Sequence, residues 1–181
     1  MVAPGPRNER RNNAVVRGNL FMGTGFAGSM AEGSVERTLV LVKPDGVRRG
    51  LIGEIVGRLE RKGLKLVAAR LMHASPELAA RHYAEHQGKP FYPGLVQHIT
   101  SAPIFAMAVE GRSAIAVVRS ITGATNPQTA APGTVRGDLA LAITPNLIHA
   151  SDSPDSAARE LALYFTEKDY LRYERVGAEY Q

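Results

Sequence analysis

The chain has 181 residues, 44% of them hydrophobic and 22% charged, a balance that fits one globular domain and excludes fibrous and wholly disordered classes. It contains no cysteine and no tryptophan, so no disulfide framework is available and the core must be mainly aliphatic. A formal net charge of +5 suits an anionic ligand, nucleotide or nucleic acid, without choosing between them.

No apolar run approaches the roughly 20 residues of a membrane-spanning helix. Asn19–Met22 is too short for the apolar core of a secretion signal, so a soluble cytoplasmic protein is expected. Residues 1–34 hold Gly, Asn and Arg without helical or strand periodicity and read as a flexible extension, or as sequence upstream of a start at Met22 or Met30. Residues 35–181 then form the folded domain.

Within that domain Thr38–Val42 is an apolar run halted by the turn sequence Pro44-Asp45-Gly46, as a strand end would be. Leu51, Ile52, Ile55, Val56 and Leu59 recur at helical spacing, and Gly63 stands where a glycine just past a helix end belongs. Leu64–Met72 reads as a second strand. Ser75-Pro76-Glu77 supplies a cap, a first-turn proline and a first-turn acid for a helix through His86.

Ile104–Glu110 is a third strand and Arg112–Ile121 a helix closed by Gly123, followed by a long Gly/Pro/Thr loop over residues 122–138. Leu147-Ile148-His149 is a short apolar segment before a helix over Pro154–Tyr164, with Ser153 as its cap. The order β-α-β-α-β-α-β predicts an α/β (α+β) sandwich. Its preferred form is a ferredoxin-like split βαβ fold, a four-stranded antiparallel sheet covered by helices.

Three patterns are candidates for chemistry. Gly23-Thr24-Gly25-Phe26-Ala27-Gly28 spells G-x-G-x-x-G, yet no strand precedes it and no helix follows, so it reads as a glycine tract. His82 and His86 have the i, i+4 spacing of metal ligands but lack a third ligand, and a surface pair is the simpler reading. His149 closes an apolar segment beside Ser151, Asp152 and Ser153 at a helix start, where anions are favoured and an imidazole with an ordinary pKa near 6.5 is nucleophilic. Alone, such a histidine is more often structural.

A longer series changes the weighing. Lys43-Pro44-Asp45-Gly46-Val47-Arg48-Arg49-Gly50, Glu54, His82-Tyr83, Lys89-Pro90-Phe91, Gly94-Leu95, Gly123-Ala124-Thr125-Asn126-Pro127, Pro132–Asp138 and Asn146–Ser153 follow one another in this order. Over about residues 37 to 170 the chain resembles the nucleoside diphosphate kinase family in nearly gap-free register.

The resemblance implies ping-pong transfer of the terminal phosphate of ATP or another nucleoside triphosphate to a diphosphate, through phosphohistidine at His149. By the same resemblance Glu160 orients the imidazole, and Ser151 is the hydroxyl neighbour of the nucleophile. Lys43, Tyr83, Arg119, Thr125 and Arg136 grip the phosphates, with His82 near them. Lys43 and Asn146 also touch the sugar, and Phe91 stacks on the base with Leu95 and Ile143 around it. Mg²⁺ would arrive on the phosphates rather than in a protein cage. Taken singly, simple core is an alternative reading of Phe91, and a solvated helix face is the commoner reading of Arg119.

The resemblance also implies a homo-oligomer, a hexamer in preference to a tetramer, with no membrane attachment. The basic charge leaves a nucleic-acid-binding relative of weak activity as the second reading.

The chain departs from the family pattern at Ala150, where glycine usually follows the histidine, and across Leu139–Pro145. Should position 150 need a positive φ, alanine would cost about 1 kcal/mol there. The tail after Tyr170 is short, and residues 1–34 match nothing in the family.

Overall fold

The computed structural model describes residues 35–176; the expected extension over residues 1–34, with its glycine tract, lies outside them. Strand β1, Val35–Val42, contains the run Leu39–Val42, none of which is exposed to solvent. A strand apolar on both faces must be covered on both. Its period of two divides the run: Leu39 and Leu41 enter one apolar cluster, Val40 and Val42 the other.

The chain continues through α1 (Pro44–Arg48), α2 (Ile52–Arg61), β2 (Lys65–Met72), α3 (Pro76–His82), α4 (Tyr92–Thr100) and β3 (Ile104–Arg112). Then follow α5 (Ala114–Thr122), α6 (Val135–Leu139), β4 (Ile148–Ala150) and α7 (Pro154–Tyr164). The four strands form one antiparallel sheet in the order β2-β3-β1-β4, the split βαβ arrangement expected from the element order.

One face joins Leu39, Leu41, Ile104, Ala106 and Ala108 to Ala79 of α3, Ile99 of α4, and Leu161 and Tyr164 of α7. The other joins Val40, Val42, Met107 and Val109 to Ile55 and Leu59 of α2, Val118 of α5 and Val135 of α6. Each fully buried Leu, Ile or Val contributes about 1.5–3 kcal/mol, so the two clusters hold both helical layers to the sheet.

The expected helix punctuation is present. Ser75 Oγ accepts from the Leu78 N–H, Ser153 Oγ accepts from the Ser156 N–H, and Gly63 and Gly123 take φ of 102° and 82° just past α2 and α5.

Several elements depart from expectation. The Pro44-Asp45-Gly46 turn is the start of α1, where proline sits at a position whose N–H needs no partner. For the same reason Pro93 belongs to the first turn of α4, a helix that the Tyr-Pro-Gly sequence conceals. The long loop contains α6, capped by Thr134 Oγ1, which accepts from the Gly137 N–H. The helix expected to reach His86 instead ends at His82, and Ala84–His86 forms a separate 3₁₀ turn.

Candidate active site

Strand β4 pairs with β1 so that His149 stands opposite Leu41, flanked by the pairs Val42–Ile148 and Val40–Ala150. The alternation of the strand sends Ile148 and Ala150 into the α2/α5 cluster and His149 to the opposite face, between α3 and α7. There its side chain is 22% exposed at the wall of a cleft of about 670 Å³.

Glu160, buried on α7, fixes the ring. His149 Nε2 lies 2.8 Å from Glu160 Oε2, and Ser151 Oγ donates to the same oxygen at 2.7 Å. Burial alone would raise the Glu160 pKa, but the hydrogen bonds to His149 and Ser151, with Arg159 nearby, hold it below the usual value. An ionised carboxylate only accepts, so Nε2 carries the proton and Nδ1 keeps its lone pair.

The polar side of the cleft is built by four segments. Lys43, at the end of β1, donates from Nζ to Asn146 Oδ1 at 2.6 Å, and Asn146 Nδ2 donates to the Thr125 carbonyl at 3.0 Å. Arg119 comes from the last turn of α5. Arg136, on α6, is 3% exposed and donates to the carbonyls of Asn146, Gly123 and Ile148. These bonds use three of its five N–H groups, so it shapes the approach to β4 and retains donors for the cleft. Burial, then Arg136, lowers the Lys43 pKa to about 8; burial, then Arg119, lowers that of Arg136 to about 10. Buried cations crowded this closely fit a site that receives an anion.

At the mouth, Phe91 is 54% exposed, with Leu95, Gly94 and Ile143 nearby on the cleft wall. Tyr83 is buried on the inner wall, and burial followed by Glu160 raises its pKa.

Lys43, Tyr83, Phe91, Leu95, Arg119, Thr125, Arg136, Ile143, Asn146, His149 and Glu160 thus line one cleft. Two residues occupy a different position. Ser151 reaches Glu160 rather than the cleft. His82 lies behind His149, their ring centroids 4.5 Å apart, and burial followed by His149 drives its pKa well down. The His82/His86 pair is separated by the helix end; His86 Nδ1 instead lies 3.2 Å from Lys89 Nζ.

Asp45 escaped the sequence reading. It accepts from the Leu147 N–H at 2.9 Å through Oδ2, while its Oδ1 lies 3.0 Å from His98 Nε2. It thereby holds Leu147 at a φ of 70°, immediately after Asn146. Its place two residues after Lys43 was the available signal, hidden by the turn reading. Ala150 is a β4 residue with no positive φ, so the backbone cost considered for it does not arise.

A nucleophilic nitrogen, an acid on the opposite nitrogen, clustered cations and an exposed ring at the mouth suit transfer of an anionic group carried by a flat, stackable molecule. The nucleoside diphosphate kinase family model matches residues 36–170. A nucleoside diphosphate kinase of Archaeoglobus fulgidus is 55% identical over 146 residues, covering 81% of this chain and 97% of the relative. One of Moorella thermoacetica is 59% identical over 133 residues, covering 74% and 96%. The solved halophilic enzyme of Halobacterium salinarum, in complex with CDP, superposes with a TM-score of 0.79 at 52% identity over 81% of this chain and 98% of that one. A Borrelia burgdorferi nucleoside-diphosphate kinase, solved as a transition state mimic with vanadate and ADP, gives 0.74 at 40% identity over 78% and 93%. With its cleft assembled from those matching segments, this chain belongs to the nucleoside diphosphate kinase family.

Proposed function

We propose that the chain exchanges the terminal phosphate between nucleoside triphosphates and diphosphates, with His149 carrying it between half-reactions. The observation that carries this assignment is the His149–Glu160 bond of 2.8 Å at the wall of a cation-lined cleft, which leaves Nδ1 as the nucleophile. In the first half-reaction the Nδ1 lone pair bonds to the γ-phosphorus of ATP as the bond to the β,γ-bridging oxygen breaks, and the diphosphate departs. Glu160 balances the positive charge that develops on the ring. In the second, a terminal oxygen of another diphosphate attacks the phosphohistidine, the P–N bond breaks and the imidazole is restored.

Lys43, Arg119 and Arg136 neutralise and align the transferring group, with Thr125, Tyr83 and Asn146 completing the grip on phosphate and sugar. Phe91, with Leu95 and Ile143, stacks on the base; every base has a π-face, so this contact tolerates all of them. Ser151 and His82 act on the wall behind, through Glu160 and His149. The divalent cation is part of the substrate, with Mg²⁺ the natural choice. The cleft offers Mg²⁺ no oxygen cage of its own, because its carboxylates are only Glu85, Asp152 and Glu160, with Glu85 held by Arg159 and Asp152 by the hydroxyls of Ser156 and Ser153.

The proposed form is a cytoplasmic homo-oligomer, a hexamer in preference to a tetramer, with residues 1–34 an extension of a catalytic domain spanning 35–181. No helix among the described residues is long and apolar enough to cross a membrane.

Incubation with γ-labelled ATP is expected to give an acid-labile, base-stable phosphoprotein, and His149→Ala to abolish both label and exchange. A labelled or exchanging mutant overturns the assignment.

A further inference from the structure

Phosphate exchange leaves one imidazole at this site without a direct task. His82, the last residue of α3, is 2% exposed, and neither ring nitrogen has a hydrogen-bond partner among the described residues. Its ring stands edge-on to that of His149 at 78°, braced behind by Tyr83 and Tyr164. One nitrogen from each histidine and one oxygen of Glu160 lie within 4.8 Å of one another. Two imidazoles and a carboxylate are the protein donor set of an open zinc site, and His149 and Glu160 of this set also line the cleft.

We propose that His82, His149 and Glu160 form a capture site for a borderline divalent transition cation, Zn²⁺ foremost, and that this ion competes with phosphate for His149. Zinc–nitrogen bonds near 2.0–2.1 Å set tetrahedral donors about 3.3 Å apart. Drawing the triad together to that spacing costs His82 no hydrogen bond, because neither of its nitrogens has a partner among the described residues. Mg²⁺ does not compete, because it demands near-octahedral oxygen ligands and keeps its water. The site therefore distinguishes the nucleotide's own cation from a softer one. Ligation runs through Nε2, the nitrogen that faces Glu160: it displaces the Nε2 proton, breaks the bond to Glu160 that orients the ring and puts cationic charge on the imidazole that must attack. The effect on turnover rests on His149 being the phosphate carrier; the binding does not.

The test uses the nucleotide-free full chain titrated with Co²⁺, whose visible absorption is intense in a tetrahedral site, with Zn²⁺ as the displacing ion. One equivalent should bind with that absorption, raise the thermal midpoint and suppress subsequent labelling by γ-labelled ATP until a chelator is added. His82→Gln and His149→Asn should each weaken binding about tenfold or more, their unliganded thermal midpoints reporting that they fold. Absence of binding, or binding unchanged in both variants, overturns the proposal. Wild-type protein that takes the label but no cobalt sinks only the metal site, whereas protein that binds cobalt yet takes no label when cobalt is absent sinks only the kinase reading.

Discussion

Glu160 Oε2 receives two donors, His149 Nε2 at 2.8 Å and Ser151 Oγ at 2.7 Å. The pair ties α7 to β4 and the residue after it, so the nucleophile's tautomer and its aim depend on one buried oxygen. Glu160→Gln removes the charge and can present an amide donor to a ring nitrogen that must also donate. The expected loss in kcat is about 10²-fold, larger than any change in KM. Ser151→Ala should lose about 1 kcal/mol of stability in chemical denaturation, with a smaller loss of rate. If the Glu160→Gln enzyme turns over as fast as the parent, the orienting role is wrong.

Glu160 and Asp45 both have lowered pKa values in the fold, so their stabilising contribution is present above the unfolded carboxylate values and is lost as pH falls through the folded ones. Stability should therefore decline on acidification below about pH 4.5. Double replacement by Gln and Asn should flatten that decline in a pH series of denaturation curves.

Lys43 runs the other way. Its pKa is lowered to about 8, so the free enzyme loses this charge as pH rises through that value, while the unfolded chain keeps it to about 10.5. The folded state is thus penalised below pH 8, and the penalty is relieved between about pH 8 and 10.5. Activity has the opposite slope: kcat/KM should fall above pH 8 because the charge proposed to meet the phosphate is gone. Lys43→Arg should lower kcat/KM at neutral pH and remove that alkaline fall; an unchanged profile would rule out Lys43 as its source.

Asp45 restrains Leu147 in a left-handed conformation and contacts His98 on α4. Asp45→Ala strands the buried Leu147 N–H and releases Asn146. We expect about 1–3 kcal/mol of destabilisation, with a rise in nucleotide KM; denaturation and steady-state kinetics on one preparation measure both.

Phe91 is 54% exposed, so Phe91→Ala should cost little stability. Loss of base stacking, worth about 1–3 kcal/mol, should raise KM about tenfold or more for purine and pyrimidine nucleotides alike. A defect confined to one base would contradict stacking.

Ala150 places its methyl group in the α2/α5 cluster from an ordinary strand conformation. Ala150→Gly should lower stability by about 1 kcal/mol without raising exchange. Marked activation by glycine would revive the reading of the parent chain as a weak enzyme.

Much of this protein was legible in its residues. Short apolar runs located the four strands, and helical spacing at Leu51–Leu59 together with cap residues located four of the helices; Ser75, Ser153, Gly63 and Gly123 punctuated them because caps are local chemistry. Helices α1, α4 and α6 were hidden for the same local reason. Proline and glycine in the first turns of α1 and α4, and glycine in that of α6, look like a loop unless the following residues are known to pack.

The composition of the cleft was likewise written in sequence, through segments spaced from Lys43 to Glu160. Their division of labour was not. That Ser151 serves Glu160, that His82 stands dry behind His149, and that Asp45 steers Leu147 across 102 residues follow only when the sheet brings β1, β4, α3 and α7 together. Side-chain identity sets what a group can donate or accept; which partner it meets, and how much water remains around it, is decided by packing between segments far apart in the chain.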